Sequence, residues 1–466
     1  MTQEDSGTRG KQIALVAGPL LGAALGTFLF LGPQLPAAAC FCAAITIVCA
    51  VWWVTEPIPI PATSLIPFAT FPLVGVLTHK EVATAYGHHL ILLLLGGFIL
   101  STAMEKSGAH LRLALGMVRL FGGGGGKGLV LGFMVAAAVL SMWISNTATT
   151  LMLLPVILAV VDQSEDKNLG VALLLGVAYA ASVGGMGTPV GTPPNVIFMG
   201  AYDEIVGKEI SFLEWMKIGL PVVFVMIPII WLWLTRKLGK GQKLDLPHPG
   251  KLRSAEVRVL SIFFITAVAW VTRTEPFGGW SKLLGATGSA GDSTVALFAV
   301  VVLFIVPDGE GGRLLNWKTA AKIPWGLLLL FGGGIAIAKA FGKSGLSEAL
   351  GQALAGLANW PVLAMIFVLC LGITFLTEIT SNTATTALLM PILAEAGLAS
   401  GIDPLLLMVP ATISASCAFM LPVATAPNAI VFGTNRFPIK TMMREGLALN
   451  LIGVVVVTTV CFFMLR

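Results

Sequence analysis

Charge is scarce in this 466-residue chain: Asp, Glu, Lys and Arg supply only 11% of it, against roughly a quarter in soluble domains. Hydrophobic residues supply 56%, and mean hydropathy is +0.91. A soluble fold is excluded, and apolar stretches of span length, about 20 residues each, leave no room for a sizeable soluble domain. Cysteine is sparse and unpaired in spacing: Cys40, Cys42, Cys49, Cys370, Cys417 and Cys461 all lie in apolar runs and read as small core hydrophobes. The chain also lacks H-E-x-x-H, paired intramembrane aspartates and a G-x-S-x-G with a His partner, which disfavours an intramembrane enzyme. Gly122 to Gly126 is followed by no Gly-Lys-Ser/Thr and reads as a flexible turn, not a phosphate loop. The apolar stretch from Ile13 has no small-residue cleavage site and reads as a first transmembrane helix, not a signal peptide.

What is present is a series of spans. The pattern predicts eleven, near 12–31, 38–54, 60–77, 88–105, 168–206, 213–235, 256–272, 292–306, 323–341, 403–433 and 444–465. Two further segments, 128–161 and 361–394, are apolar on both sides of a polar centre, with each half short for a crossing; they are expected to be re-entrant hairpins. The net charge of +5 orients the protein rather than implying nucleic acid. Arg9 and Lys11, then Lys106, Arg112, Arg119 and Lys127, then the basic run from Arg236 to Arg258 all fall on one side of this topology. The loop 203–217 opposite holds four acidic residues against two lysines. By the positive-inside rule the N-terminus is cytoplasmic and the C-terminus periplasmic, in a multi-pass protein of a bacterial inner membrane.

An internal duplication carries the most information. Ser145-Asn146-Thr147-Ala148-Thr149-Thr150 returns unchanged as Ser381-Asn382-Thr383-Ala384-Thr385-Thr386, at an offset of 236 residues, and each copy is followed by an apolar run and a proline, Pro155 or Pro391. Upstream, Gly96-Gly97 and Lys106-Ser107-Gly108 match Gly333-Gly334 and Lys343-Ser344-Gly345 at an offset of 237. Downstream, Gly191-Thr192-Pro193-Pro194-Asn195 matches Ala424-Thr425-Ala426-Pro427-Asn428 at an offset of 233. An odd number of crossings separates the copies, so the halves are inverted about an axis in the membrane plane, the arrangement of many secondary carriers.

Each Ser-Asn-Thr lies midway in an apolar hairpin, where unpartnered hydroxyls and amides are costly. A lone Ser or Thr in a membrane helix more often bonds back to its own backbone. Two identical hexapeptides at symmetric breaks weigh against that reading. A re-entrant tip offers side-chain oxygens and free carbonyls, which suit a sodium ion, and free N–H groups of a starting helix, which suit an anion. The downstream prolines remove amide donors and predict discontinuous helices, flanked by Thr and Asn. His88 and His89 open the fourth helix and read as interfacial polar residues, while Glu378 is by position an intramembrane carboxylate, a kind that is usually functional.

The paired motifs, with the segment from Ala415 to Val431 that fits S-x-x-F-x-x-P ending in N-x-I-V, and Trp52-Trp53-Val54-Thr55-Glu56-Pro57-Ile58-Pro59 as an early landmark, resemble the divalent anion:sodium symporters over nearly the whole chain. The resemblance implies an all-α, elevator-type homodimer in membrane lipid, with scaffold and transport domains. Its implied units are a tail at 1–11, scaffold helices at 12–105, an interfacial connection at 106–127, a transport half at 128–206, scaffold helices at 207–341, a second connection at 342–360, a second transport half at 361–433 and a final helix at 434–466. By motif position, one sodium would meet Ser141, Ser145, Asn146 and Gly191, and a second Thr377, Ser381, Asn382 and Ala424. The substrate carboxylates would meet Asn146, Thr147, Thr192, Asn382, Thr383 and Thr425. Two departures bear on substrate preference: Thr192 stands at a position also held by Ser in the family, and Ala426 where proline is frequent. With no Arg or Lys among these residues, at least two sodium ions are expected to offset the charge of a dianion. Sodium-coupled import of succinate, fumarate or malate is the leading expectation; a sodium-independent dicarboxylate exchanger and a sulfate or citrate carrier stay open, and an ion channel has no need of inverted broken helices.

Overall fold

The computed structural model describes residues 3–123, 125–164, 166–239, 250–354 and 360–465, and among them the protein is helical throughout, without a strand. It opens with two long apolar helices, α1 (Gln3–Leu31) and α2 (Ala37–Thr55). Gly18, Gly22 and Gly26 line the α1 face toward α2, and a Cβ at Gly22 would lie 2.6 Å from the carbonyl oxygen of Ala44. This small-residue stripe brings the two backbones together without help from water, as packing in lipid requires. Helix α1 starts at Gln3, so most of the expected tail at 1–11 is helical.

The expected third span, 60–77, is not one helix. It is α3 (Ile60–Thr63) and α4 (Ile66–Thr70) followed by turns. Pro59, Pro61, Pro67 and Pro72 deny the backbone the donors that a continuous helix needs, and the Tyr86 hydroxyl donates instead to the carbonyl of Ser64 at the break. Next come α5 (His79–Tyr86), α6 (His89–Ser107), the amphipathic α7 (Ala109–Phe121), α8 (Gly126–Ser141), α9 (Asn146–Asp162), α10 (Lys167–Gly185), α11 (Pro193–Val206) and α12 (Phe212–Thr235). The second half runs through α13 (Ser254–Val271), α14 (Gly279–Leu283), α15 (Asp292–Ile305), α16 (Trp317–Ala320), α17 (Trp325–Ser344), α18 (Leu346–Leu354), α19 (Val362–Leu376), α20 (Asn382–Ser400), α21 (Leu405–Ala415), α22 (Ala426–Phe432) and α23 (Ile439–Leu465).

Ion pairs at the helix ends define two faces. On the basic face Lys106 donates to the carbonyls of Arg313 and Leu314 at 2.8 and 3.1 Å, Arg112 meets Glu256 at 2.9 Å, and Arg236 meets Glu445 at 2.6 Å. On the opposite face Lys343 meets Glu81 at 2.8 Å, and Arg273 meets Asp292 at 2.6 Å and Glu209 at 3.0 Å. Helix α6 therefore ends on the basic face while its repeat partner α17 ends on the opposite one, which is an inverted relationship.

Both ends of the α8–α9 pair are fastened to the basic face, through Trp231 Nε1 donating to the Lys127 carbonyl at 2.8 Å and Arg436 meeting Asp162 at 2.7 Å. The α19–α20 pair is fastened to the opposite face. There Glu395 accepts from the Ser347 hydroxyl, and Met365, Ala396 and Leu407 form a small apolar cluster at its base. These are the two re-entrant hairpins. Among the described residues nine helices are long and apolar enough to cross a membrane. One of them, α20, is a hairpin arm; adding the 56–78 segment, α15 and the broken pair α21–α22 to the remaining eight gives eleven crossings. The expected spans 168–206 and 403–433 are each two half-helices, parted at 186–192 and 416–425.

Six free cysteines are all buried in this apolar interior. The close approaches at the two helix breaks are also symmetric: a Cβ at Gly219 of α12 would collide with the Met186 carbonyl, and one at Gly446 of α23 with the Phe419 carbonyl.

Candidate functional site

The hairpin tips meet the helix breaks in the middle of the protein. In the first tip Ser145 caps α9, its hydroxyl accepting from the Ala148 N–H at 3.2 Å; in the second Ser381 caps α20, accepting from Ala384 at 3.4 Å. A Ser cap fixes where each helix begins, and so places the following Asn and Thr in the first turn. Ser141 donates to Asn146 Oδ1 at 2.5 Å, and Thr377 donates to Asn382 Oδ1 in the same relation. Thr150 and Thr386 then donate back to the carbonyls of Asn146 and Asn382, each at 2.8 Å. The duplicated sequence thus folds into a duplicated hydrogen-bond pattern.

The breaks repeat as faithfully. Asn195 Nδ2 donates to the carbonyls of Gly185 and Thr188 at 2.9 and 2.7 Å, and Asn428 Nδ2 donates to those of Ala418 and Leu421 at 3.0 and 3.1 Å. Each amide holds carbonyls ten and seven residues upstream, closing the loop that interrupts the helix. Both Oδ1 atoms are buried without a hydrogen-bond partner. Sequence reasoning placed these two asparagines in the motifs but not among the site residues; their identical place in both copies was the available signal.

Between tips and breaks lies a cavity of about 440 Å³, within the range of small-molecule sites. Its lining includes Ser145, Asn146, Thr147, Gly191 and Thr192 from one half and Ser381, Asn382, Thr383, Ala424 and Thr425 from the other. Ten of the twelve residues expected at the site therefore converge. The other two, Ser141 and Thr377, are fully buried behind the tips and reach it only through Asn146 and Asn382. Asn146 Oδ1 and the Gly191 carbonyl border the same small space beside Gly185, where a Cβ would lie 2.8 and 3.1 Å from them. Oxygens so placed, with no cationic side chain lining the cavity among the described residues, suit a hard cation.

Four helices, α9, α11, α20 and α22, begin at this cavity. The starts of α9, α20 and α22 turn N–H groups and partial positive charge toward it, whereas α11 begins with Pro193-Pro194, which have no N–H, and contributes partial positive charge alone. Glu56, a lining residue that sequence reasoning missed, is the one charged side chain around the cavity among the described residues. It stands at the C-terminus of α2 in a left-handed conformation, φ 46°, and with Val54 and Pro324 it forms a rim on the basic face. The tips differ in their backing: Trp143 of the first stacks with Phe212 and Trp270 at 6.0 and 6.3 Å between ring centroids, whereas Ile379 of the second is 72% exposed to the cavity.

Glu378, beside the second tip, has both side-chain oxygens engaged by donors. Its Oε1 accepts from the Met420 N–H at 2.8 Å and from Asn450 Nδ2 at 2.7 Å, and its Oε2 accepts from the Leu421 N–H at 2.8 Å. It clamps the tip to the second helix break.

An eleven-crossing bundle with inverted halves, two re-entrant hairpins and a central anion- and cation-compatible cavity defines a secondary carrier. The chain belongs to the family described as the sodium:sulfate symporter transmembrane region, whose model matches residues 19–465. It is 40% identical to the sodium-dependent dicarboxylate transporter SdcS of Staphylococcus saprophyticus and 41% identical to that of Staphylococcus aureus strain NCTC 8325, covering 98% of this chain and 91% of each relative. Its fold is similar to that of the Alcanivorax borkumensis YdaH transporter (TM-score 0.62, 13% identity, 98% of both chains) and of Neisseria gonorrhoeae MtrF (TM-score 0.62, 16% identity, 94% and 97% covered).

Proposed function

We propose that this protein imports C4-dicarboxylates such as succinate, fumarate or malate with sodium ions across the inner membrane. The observation that carries the reading is the convergence of two Ser-Asn-Thr tips and four helix N-termini on one cavity whose lining, among the described residues, holds no Lys or Arg. A dianion there gains from helix dipoles and N–H donors, yet keeps a large desolvation cost that adjacent cations offset. One sodium is assigned to Ser145, Asn146 and the Gly191 carbonyl, with Ser141 orienting Asn146; the other goes to Ser381, Asn382 and the Ala424 carbonyl, with Thr377 orienting Asn382. The carboxylates are assigned to Asn146, Thr147, Thr192, Asn382, Thr383 and Thr425. The similarity to transporters named sodium-dependent dicarboxylate carriers supports the ion and the substrate class.

With the basic face cytoplasmic, the N-terminus is inside, the C-terminus is periplasmic, and the cavity rimmed by Glu56 and Pro324 faces inward. In this reading the two hairpins and broken helices move together as transport domains of a homodimer against the scaffold, carrying the site across the membrane. The test is uptake of radiolabelled succinate into proteoliposomes with sodium, potassium and proton gradients imposed separately. Concentrative uptake only with inward sodium supports it. Equal uptake with and without sodium, with external substrate driving release of internal substrate, overturns it in favour of an exchanger.

A further inference from the structure

His88 and His89 lie outside the cavity, on the opposite face, where α6 begins. Asp203, in the last turn of α11, faces both: its Oδ2 is 3.4 Å from His88 Nε2 and 4.0 Å from His89 Nε2. The two imidazoles lie 4.4 Å apart between ring centroids and 32° from parallel, which turns both Nε2 atoms toward the same carboxylate. His89 Nε2 is buried and has no hydrogen-bond partner.

We propose that His88, His89 and Asp203 form a binding site for a divalent transition metal of the zinc type, and that the bound metal fastens α6 to α11. The three ligand atoms lie within 4.8 Å of one another. Around a tetrahedral zinc, with ligand bonds near 2.0–2.2 Å, neighbouring ligand atoms are separated by roughly 3.3 Å. The His88–Asp203 separation already matches, and His89 Nε2, now 4.0 Å from the carboxylate, closes on it by rotation of its side chain. Two imidazoles and one carboxylate are a ligand set that zinc favours, with the fourth position left to water. The three side chains are 13%, 39% and 25% exposed, so the cluster opens to the surface, and the same rotation of His89 brings its buried Nε2 to the metal.

The neighbouring cations do not compete for the carboxylate. Lys339 is paired with Glu204 at 3.5 Å, and Arg273 with Asp292 and Glu209. Binding does require His88 to carry its proton on Nδ1, which gives up the acceptance of the Leu90 N–H at 3.4 Å. That bond is near the upper limit of useful length, and its loss is small beside a metal–nitrogen bond. At the repeat offset of 237 the matching residues of the second half are Trp325 and Gly326. The site is thus a property of one half only and lies outside the duplicated transport machinery.

Under the proposed function α6 belongs to the scaffold and α11 to the mobile part, so a metal bridging them holds the carrier in the conformation described here. Metal binding itself does not depend on that reading and is measured without transport. Purified full-length protein in detergent is titrated with Co²⁺, followed by its visible absorption, and with Zn²⁺ by calorimetry. Loss of even an outer-shell partner weakens metal sites roughly 10–100-fold, so His88→Ala/His89→Ala and, separately, Asp203→Asn are expected to lose at least that much affinity. In proteoliposomes zinc is expected to inhibit wild-type succinate uptake, reversibly with chelator, and to leave both variants uninhibited. Saturable binding of equal affinity in wild type and both variants, or none in wild type, overturns the site; binding at the site with uptake unaffected by zinc overturns the lock.

Discussion

Asn450, deep in α23, donates its side-chain amide to Glu378 at 2.7 Å, and the same asparagine accepts the Phe419 N–H at 3.2 Å. One residue thus joins a helix outside the hairpin to the tip carboxylate and to the helix break. The first half has no such clamp: at the matching tip position stands Met142, whose carbonyl accepts from the Thr188 hydroxyl instead. The tips are alike in their ligand residues and different in how they are held.

Glu378→Gln is expected to lower the thermal unfolding temperature in detergent and to abolish uptake. A glutamine amide would turn an N–H toward a backbone donor, and a hydrogen bond to a charged group contributes about 1.5–3 kcal/mol. Asn450→Asp, which loses the donor and adds a like charge, should be worse. An unchanged unfolding temperature with lost transport would instead give Glu378 a direct role in ion coupling.

Asn146→Ala and Asn382→Ala are each expected to eliminate uptake while leaving a folded protein, because each amide faces the cavity and is held by Ser141 or Thr377. Thr147→Ala and Thr383→Ala should chiefly raise the apparent KM for succinate. A neutral hydroxyl bond is worth about 0.5–1.5 kcal/mol, or roughly two- to tenfold in affinity. Wild-type uptake in either Asn variant would remove the motif from the site.

Much of this site was legible because the repeat put the same residues at the same offset twice, and a cavity built by symmetry needs both copies. The hairpins were legible because each arm was short on either side of a polar centre. The break in 60–77 was hidden by its apolar composition, although its prolines were visible. Glu56 at the rim, the Glu378–Asn450 clamp and the Trp143 stack depend on contacts between segments far apart in sequence, which no local pattern reports. Asn195 and Asn428 lay between: their motifs were visible, but not that each amide spans its helix break.

Gly185→Ala is expected to damage sodium activation, since its Cβ would press on Asn146 Oδ1 and the Gly191 carbonyl. Overpacking of this kind costs about 1–3 kcal/mol. The second half holds Ala418 at the corresponding position and already accommodates the methyl group. Ala418→Gly should therefore change the sodium dependence little. Equal effects of the two substitutions would show that the two cation sites are not distinguished at this position.

Sodium and substrate should stabilise one another. The hydroxyls of Ser145 and Ser381 stand at the helix starts on the cavity wall; under the proposed function their oxygens meet the cation and the N–H groups beyond them meet the anion. Uptake is expected to rise sigmoidally with sodium. Ser145→Ala or Ser381→Ala should move that curve to higher sodium more than it lowers the rate at saturating substrate. Linkage requires reciprocity: the factor by which saturating sodium tightens succinate binding must equal the factor by which succinate tightens sodium binding. Calorimetric titrations of each ligand, with and without the other, measure both factors on the same protein. A succinate affinity independent of sodium would break the physical basis of coupling, because the dianion would then be held without the charge the cations supply.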